Sequence, residues 1–205
     1  MNLLTTASFS VFLASLPAPS AHAPSGVGGM FPTSLPGFTE AVFDTATIDR
    51  LLADDKTVGI RFYNVLASPA DTVGTAMAIG IRMDGSEVNS GSSYQLSLGF
   101  VSGKITMRML KKAQAAAACS SMQNSGHPSY SASFTRTEVE NLLRPAGCQA
   151  LQAIPDATAK GEASMRLIPV RIINGKAEPL GPGFLCGFPC PPLCGPEKNY
   201  VYRPK

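Results

Sequence analysis

The residues in this 205-residue chain that most invite chemistry are its thiols. Three of the five cysteines fall in CGFPCPPLC, as Cys186, Cys190 and Cys194, with gaps of three residues between them. Thiolates about two to four residues apart are what structural zinc sites use, and zinc is the cofactor this set would take. The set is one ligand short, so Cys119, Cys148 or His127 would have to complete it if the tail folds back. Pro189, Pro191 and Pro192 favour extended backbone and oppose the tight knuckle of a zinc ribbon. A disulfide is a second reading, and with five cysteines it leaves an odd thiol. The third, which the sequence favours, is a semi-rigid strap whose Phe184, Leu185, Phe188 and Leu193 cover a sheet edge or an apolar face.

Other chemistry finds little support. Nucleophilic catalysis needs a base beside the nucleophile, and the two histidines are His22 and His127, the latter in a Gly-His-Pro turn. No motif links His127 to Cys119 or Cys148, and Cys148 reads as a small apolar group at the start of a strand. SGSS lacks the Gly-x-Ser-x-Gly elbow. PSGVGG follows no strand and precedes no Lys-Ser or Lys-Thr, so it is no phosphate loop. Asp54-Asp55 at a helix end reads as a solvated pair. Arg61 and Arg82 fall on neighbouring strands where they could share an anion, although arginines on the solvent side of a sheet are the commoner arrangement. The sequence therefore nominates no catalytic and no cofactor-binding residue, and the expectation is of a protein without enzymatic activity.

A hydrophobic content of 44% with 15% charged residues suits a packed core. The net charge of +3 is too small to announce a nucleic-acid partner. The densest basic stretch, KITMRMLKK, would on a helix set Lys104, Arg108 and Lys111 or Lys112 along one solvated side. No run reaches the roughly 18 apolar residues of a transmembrane segment. Residues 1–23 end in Ala21-His22-Ala23, a small-residue cleavage pattern, but no Lys or Arg precedes the apolar part. A flexible arm in a cytoplasmic protein is the expectation, and a signal peptide would make it secreted.

The elements that would position these residues occur twice. EAVFDTATIDRLL (40–52) and SASFTRTEVENLL (131–143) match at a shift of 91, pairing Phe43 with Phe134, Ile48 with Val139, and Leu51-Leu52 with Leu142-Leu143. The shift also lays Met77, Ile79 and Ile81 over Ile168, Val170 and Ile172, and Asp84-Gly85 and Asn174-Gly175 follow at a shift of 90. Order and spacing together indicate a tandem duplication.

Each copy predicts a short strand, a helix and two further strands. Thr45 or Thr135 offers a hydroxyl at the helix start, and Thr135 with Glu138 makes a capping box. Branched and aromatic residues mark strands over 58–66, 75–83, 148–154 and 164–173, with 94–101 extending the first sheet. Asp-Gly and Asn-Gly suit tight hairpin turns. Residues 105–122, rich in alanine and unbranched side chains, predict a helix between the copies. The fold class is thus α+β, with two related strand-helix-hairpin units carrying antiparallel sheets and forming a pseudo-dimer. The expected division is an N-terminal arm (1–37), a first unit (38–103), a second unit (104–182) and a Pro/Cys-rich tail (183–205).

At Phe43 to Leu52, Gly59-Ile60-Arg61-Phe62-Tyr63, the strand ending in Asp84-Gly85 and Cys190-Pro191-Pro192-Leu193-Cys194, the chain resembles a group of small, uncharacterised α+β proteins common in Bacteroidota. Those proteins have one unit, whereas this chain has two, and its second copy reads Ala150-Leu151-Gln152 where the first has Gly-Ile-Arg. The resemblance implies a bacterial, cytoplasmic protein and brings no reaction, substrate or cofactor. Two functions follow as expectations. The first is a non-enzymatic interaction or self-assembly protein with a protein partner and no nucleic acid. The second is a small zinc- or thiol-dependent protein built on Cys186, Cys190 and Cys194.

Overall fold

The computed structural model describes residues 40–88, 93–127, 130–161 and 163–186, all within a compact unit spanning Phe31–Lys205. The chain runs through β1 (Ala41–Asp44), α1 (Thr45–Leu52), β2 (Gly59–Val65), β3 (Thr75–Ile81), β4 (Tyr94–Val101) and β5 (Lys104–Leu110). Then follow α2 (Lys112–Asn124), β6 (Ser131–Thr135), α3 (Arg136–Leu143), β7 (Ala150–Ala157), β8 (Ala163–Ile173), β9 (Lys176–Pro179) and β10 (Phe184–Leu185). Every pairing between them is antiparallel, which makes this an α+β protein with two antiparallel sheets.

The two short helices begin the same way. Backbone at Asp44 and Thr135 has φ near −65° and ψ near 157°, extended immediately before the first helical residue. Asp44, rather than Thr45, caps α1, because its carboxylate accepts from Thr47 N at 2.7 Å while Thr45 is already helical. Thr135 caps α3 as the capping box predicts: its hydroxyl accepts from Glu138 N at 3.2 Å, and the Glu138 carboxylate accepts from Thr135 N at 2.7 Å. Each helix turns its apolar stripe inward, burying Ile48, Leu51 and Leu52 in α1 and Val139 and Leu142 in α3.

The helix predicted over 105–122 is corrected in its first third. Ser102 and Gly103 both adopt left-handed backbone, with φ of 51° and 75°, and so form a two-residue hairpin turn. The following residues fold back on β4 as strand β5, and the helix starts only at Lys112. The alternation of Ile105, Met107 and Met109 is strand periodicity that the alanines downstream obscured. Lys104 and Arg108 accordingly sit on a strand rather than a helix face. Asn174-Gly175 also turns with two left-handed residues, but at Asp84-Gly85 only Gly85 is left-handed (φ 76°) and the turn is longer, closed by Arg82 N donating to Ser86 O at 2.8 Å.

One sheet runs β1-β7-β8-β10, with β9 also on β8; the other runs β5-β4-β3-β2-β6. Each strand that precedes a short helix pairs away from the strand that follows that helix: β1 lies on β7, and β6 lies on β2. The expected boundary at residue 103 falls in the β4–β5 turn, so strand pairing continues across it.

The largest hydrophobic cluster among the described residues lies between the sheets, and both contribute to it. Phe43 and Leu151 enter from one side, Ile60, Phe62 and Phe134 from the other, and α1 and α3 add their buried leucines. The Phe62 ring meets Phe43 edge-on at 5.1 Å and Phe134 edge-on at 5.8 Å. The outer faces are covered differently. Helix α2 lays Ala115, Ala118 and Cys119 over Tyr63, Met77 and Ile79. Beyond a bulge between Ser97 and Phe100, the β4–β5 hairpin bends so that Phe100 and Ile105 cover Val42, Ile168 and Val170. No helix among the described residues is long and apolar enough to cross a membrane.

Candidate functional site

Cys186 follows β10, where its backbone N donates to Met165 O at 3.0 Å and its Sγ donates to Ser133 O at 3.4 Å. The residue is 5% exposed and belongs to the core between the sheets. Cys190 and Cys194, the other two nominated metal ligands, lie outside the described residues, as do Phe188 and Leu193. Cys119 packs on the opposite face of β2 from Cys186, beside Tyr63 rather than Phe62, so the sheet separates the two sulfurs. Cys148 is half-buried beside β7, its Sγ 3.5 Å from Ala150 O. Burial pushes the Cys119 thiol well above its ordinary range, helped by the Glu87 charge, and burial also raises Cys148. Both therefore hold their protons at neutral pH, the unreactive form of a thiol. Among the described residues no three His, Cys, Asp or Glu side chains gather as a metal cage requires.

Arg61 and Arg82 do converge, but on the chain itself. Arg61, 3% exposed, reaches Glu87 Oε1 at 3.8 Å, donates to Gly85 O at 3.2 Å and donates through Nε to Ser133 Oγ at 3.2 Å. Arg82 donates to Glu87 O at 3.3 Å. The phenols of Tyr63 and Tyr94 both donate to the Glu87 carboxylate, Tyr94 at 2.5 Å. Burial raises the Glu87 carboxyl, while the two phenols, Arg61 and Lys112 pull it back. Burial, with Glu87 alongside, drives both tyrosines far above their usual range. The cluster is an internal ion pair that fastens residues 82–88 to the outer face of the β2–β3–β4 sheet. Arg61 is buried, which corrects the solvent-facing arrangement that the sequence favours, and its partner Glu87 gave no sign of itself in the polar run SEVNSGSS.

Sequence reasoning also missed the edge of β5. This strand pairs with β4 on one side, and among the described residues no strand covers its other side. Met109 is 49% exposed there. Two hollows flank it, one of about 400 Å³ lined by Arg50, Arg82, Gln95 and Met109, the other of about 270 Å³ lined by Arg108, Met109, Leu110 and Gln114. The remaining sheet edges differ. Val42 on β1 exchanges two hydrogen bonds with Ser97 Oγ, Ser133 on β6 receives the Cys186 sulfur, and β9 and β10 are four and two residues long.

Comparison of the chain with protein-family models, with curated proteins and with solved structures finds no match.

Proposed function

We propose that the chain is a tandem duplication folded as an intramolecular pseudo-dimer, and that it serves as a non-enzymatic interaction or self-assembly protein with β5 as its docking edge. A shift of 91 carries one exchanged register onto the other: Phe43 stands opposite Leu151, and Phe134 opposite Ile60. In the later strands the shift becomes 89, since Ile81 stands opposite Gly59 and Val170 opposite Ala150. The sequence alignment of Met77 and Ile79 over Ile168 and Val170 thus slides by two residues, which keeps every side chain on its face. The same shift of 89 relates Thr75 Oγ1 donating to Ser97 O at 2.9 Å to Ser164 Oγ donating to Cys186 O at 2.8 Å.

The observation that carries the interaction reading is the β5 edge. An uncovered strand offers a row of backbone donors and acceptors to any extended chain. The edges of β1 and β6 are occupied by side chains, whereas seven-residue β5 keeps its outer side open among the described residues. A zinc- or thiol-centred role draws nothing from Cys186, whose sulfur is spent within the core, and would rest on Cys190 and Cys194.

A photo-crosslinking amino acid placed at Met109, in the cells that make the protein, tests the reading. A discrete adduct that is absent when the crosslinker sits at exposed Lys160 is expected. Equal or no adduct at the two positions would overturn it.

A further inference from the structure

Resting on the reading of β5 as a docking edge, we infer that its occupant is an extended acidic segment of another protein, added as a strand. Residues 104–112 carry Lys104, Arg108, Lys111 and Lys112 and no carboxylate. Arg50 and Arg82 line the hollow on one side of the strand and Arg108 the hollow on the other, against Asp54 as the one carboxylate lining either. Arg61, Arg136, Arg166 and Arg171 pair with carboxylates. The three arginines around β5 instead donate to neutral oxygens: Arg50 to Thr47 Oγ1 at 3.4 Å, Arg82 to Glu87 O at 3.3 Å and Arg108 to Ala67 O at 3.2 Å. None of the three makes an ion pair within 4.0 Å among the described residues, although Arg82 also lowers the neighbouring Asp84 carboxyl, so the surroundings of β5 keep an excess of positive charge.

Strand addition draws affinity from main-chain bonds and selectivity from hollows that take alternate side chains. Here the hollows lie on the two faces beside Met109. Side chains of an added strand would alternate between the two faces, one set lying on the side of Arg50 and Arg82 and the other on the side of Arg108, with Met109 between them. A second copy of this chain would bring its own cations against these. A nucleic-acid strand would answer the charge but leave the strand amides and Met109 without partners.

The test uses the full chain and the fluorescent peptide GEVEIEVEG, with GKVKIKVKG as its charge-reversed control. Binding of the acidic peptide alone is expected, weakened tenfold or more by Arg50→Glu with Arg108→Glu. N-methylation of one alternate set of peptide amides should abolish binding and methylation of the other set should spare it, a result that needs no protein variant. Equal binding of the lysine peptide, indifference to both methylation patterns, or displacement by oligothymidylate at equal charge would overturn the inference. So would dimerisation of the chain through β5, lost in Met109→Lys, although that outcome would leave the interaction reading standing. Failure of the Met109 crosslink in cells would remove the reading itself.

Discussion

Ser97 Oγ spans the gap between the two sheets, accepting from Val42 N and donating to Val42 O, each at 3.0 Å. Cys186 stands 89 residues later and directs its sulfur to Ser133 O, 91 residues beyond Val42. One hydroxyl and one thiol thus bond to the outer edges of β1 and β6. Had β1 or β6 been left bare, its backbone groups would have been buried without partners or open to aggregation.

Because the two positions do one job, Cys186→Ser should be tolerated within about 1 kcal/mol. Ser97→Ala strips both backbone groups of Val42, and should cost about 1–3 kcal/mol as buried polar groups lose their partners. Urea denaturation measures both. A Cys186→Ser variant that is less stable than Ser97→Ala would refute the equivalence.

Gly183 makes the approach of β10 feasible. Its φ is 72°, and a Cβ there would collide with Leu167 O on β8. Gly183→Ala should detach β10 and expose the Cys186 sulfur to a thiol reagent under native conditions. Gly147→Ala, also at positive φ (82°) but with nothing within 4 Å, should cost only about 1 kcal/mol of backbone strain. Equal protection of the Cys186 sulfur in the two variants would contradict this.

Phe62 links β1 and β6 through its edge-on contacts with Phe43 and Phe134. Phe62→Ala should cost about 3–5 kcal/mol. Phe43→Leu and Phe134→Leu should each cost less and by similar amounts. Losses that differ widely between the last two would mean that the rings occupy unlike surroundings.

Glu87 gives the stability a pH dependence with a definite sign. Its carboxyl is raised from 4.5 in the folded chain, chiefly by burial. Stability from the protonated form is present below 4.5 and is lost as pH rises through the higher folded value. Relative to Glu87→Gln, the wild type should therefore lose stability between acid and neutral pH. If it gains instead, attraction to Arg61 outweighs desolvation.

Much of the fold was legible because its strands and short helices carry clean periodicity: Ile48, Leu51 and Leu52 mark one helical face, and the run from Gly59 to Tyr63 reads as strand. β5 was not legible, since the alanines of α2 follow it directly and its identity depends on the turn at Ser102-Gly103. The pairing of β1 with β7 and of β6 with β2 was hidden for a different reason. Identical local patterns fit β1 on either sheet, and only long-range pairing chooses between them. The buried ion pair and the hollow beside β5 were missed because both arise from distant segments: Glu87 meets Arg61 and Tyr63, and Arg50, Arg82 and Met109 line one hollow.

Expressing residues 38–127 and 128–205 as separate polypeptides tests the exchanged duplication most directly. The account predicts that neither half forms a folded monomer by circular dichroism and sedimentation, while mixing the two restores a stable one-to-one complex. A half that folds alone as a monomer would contradict it.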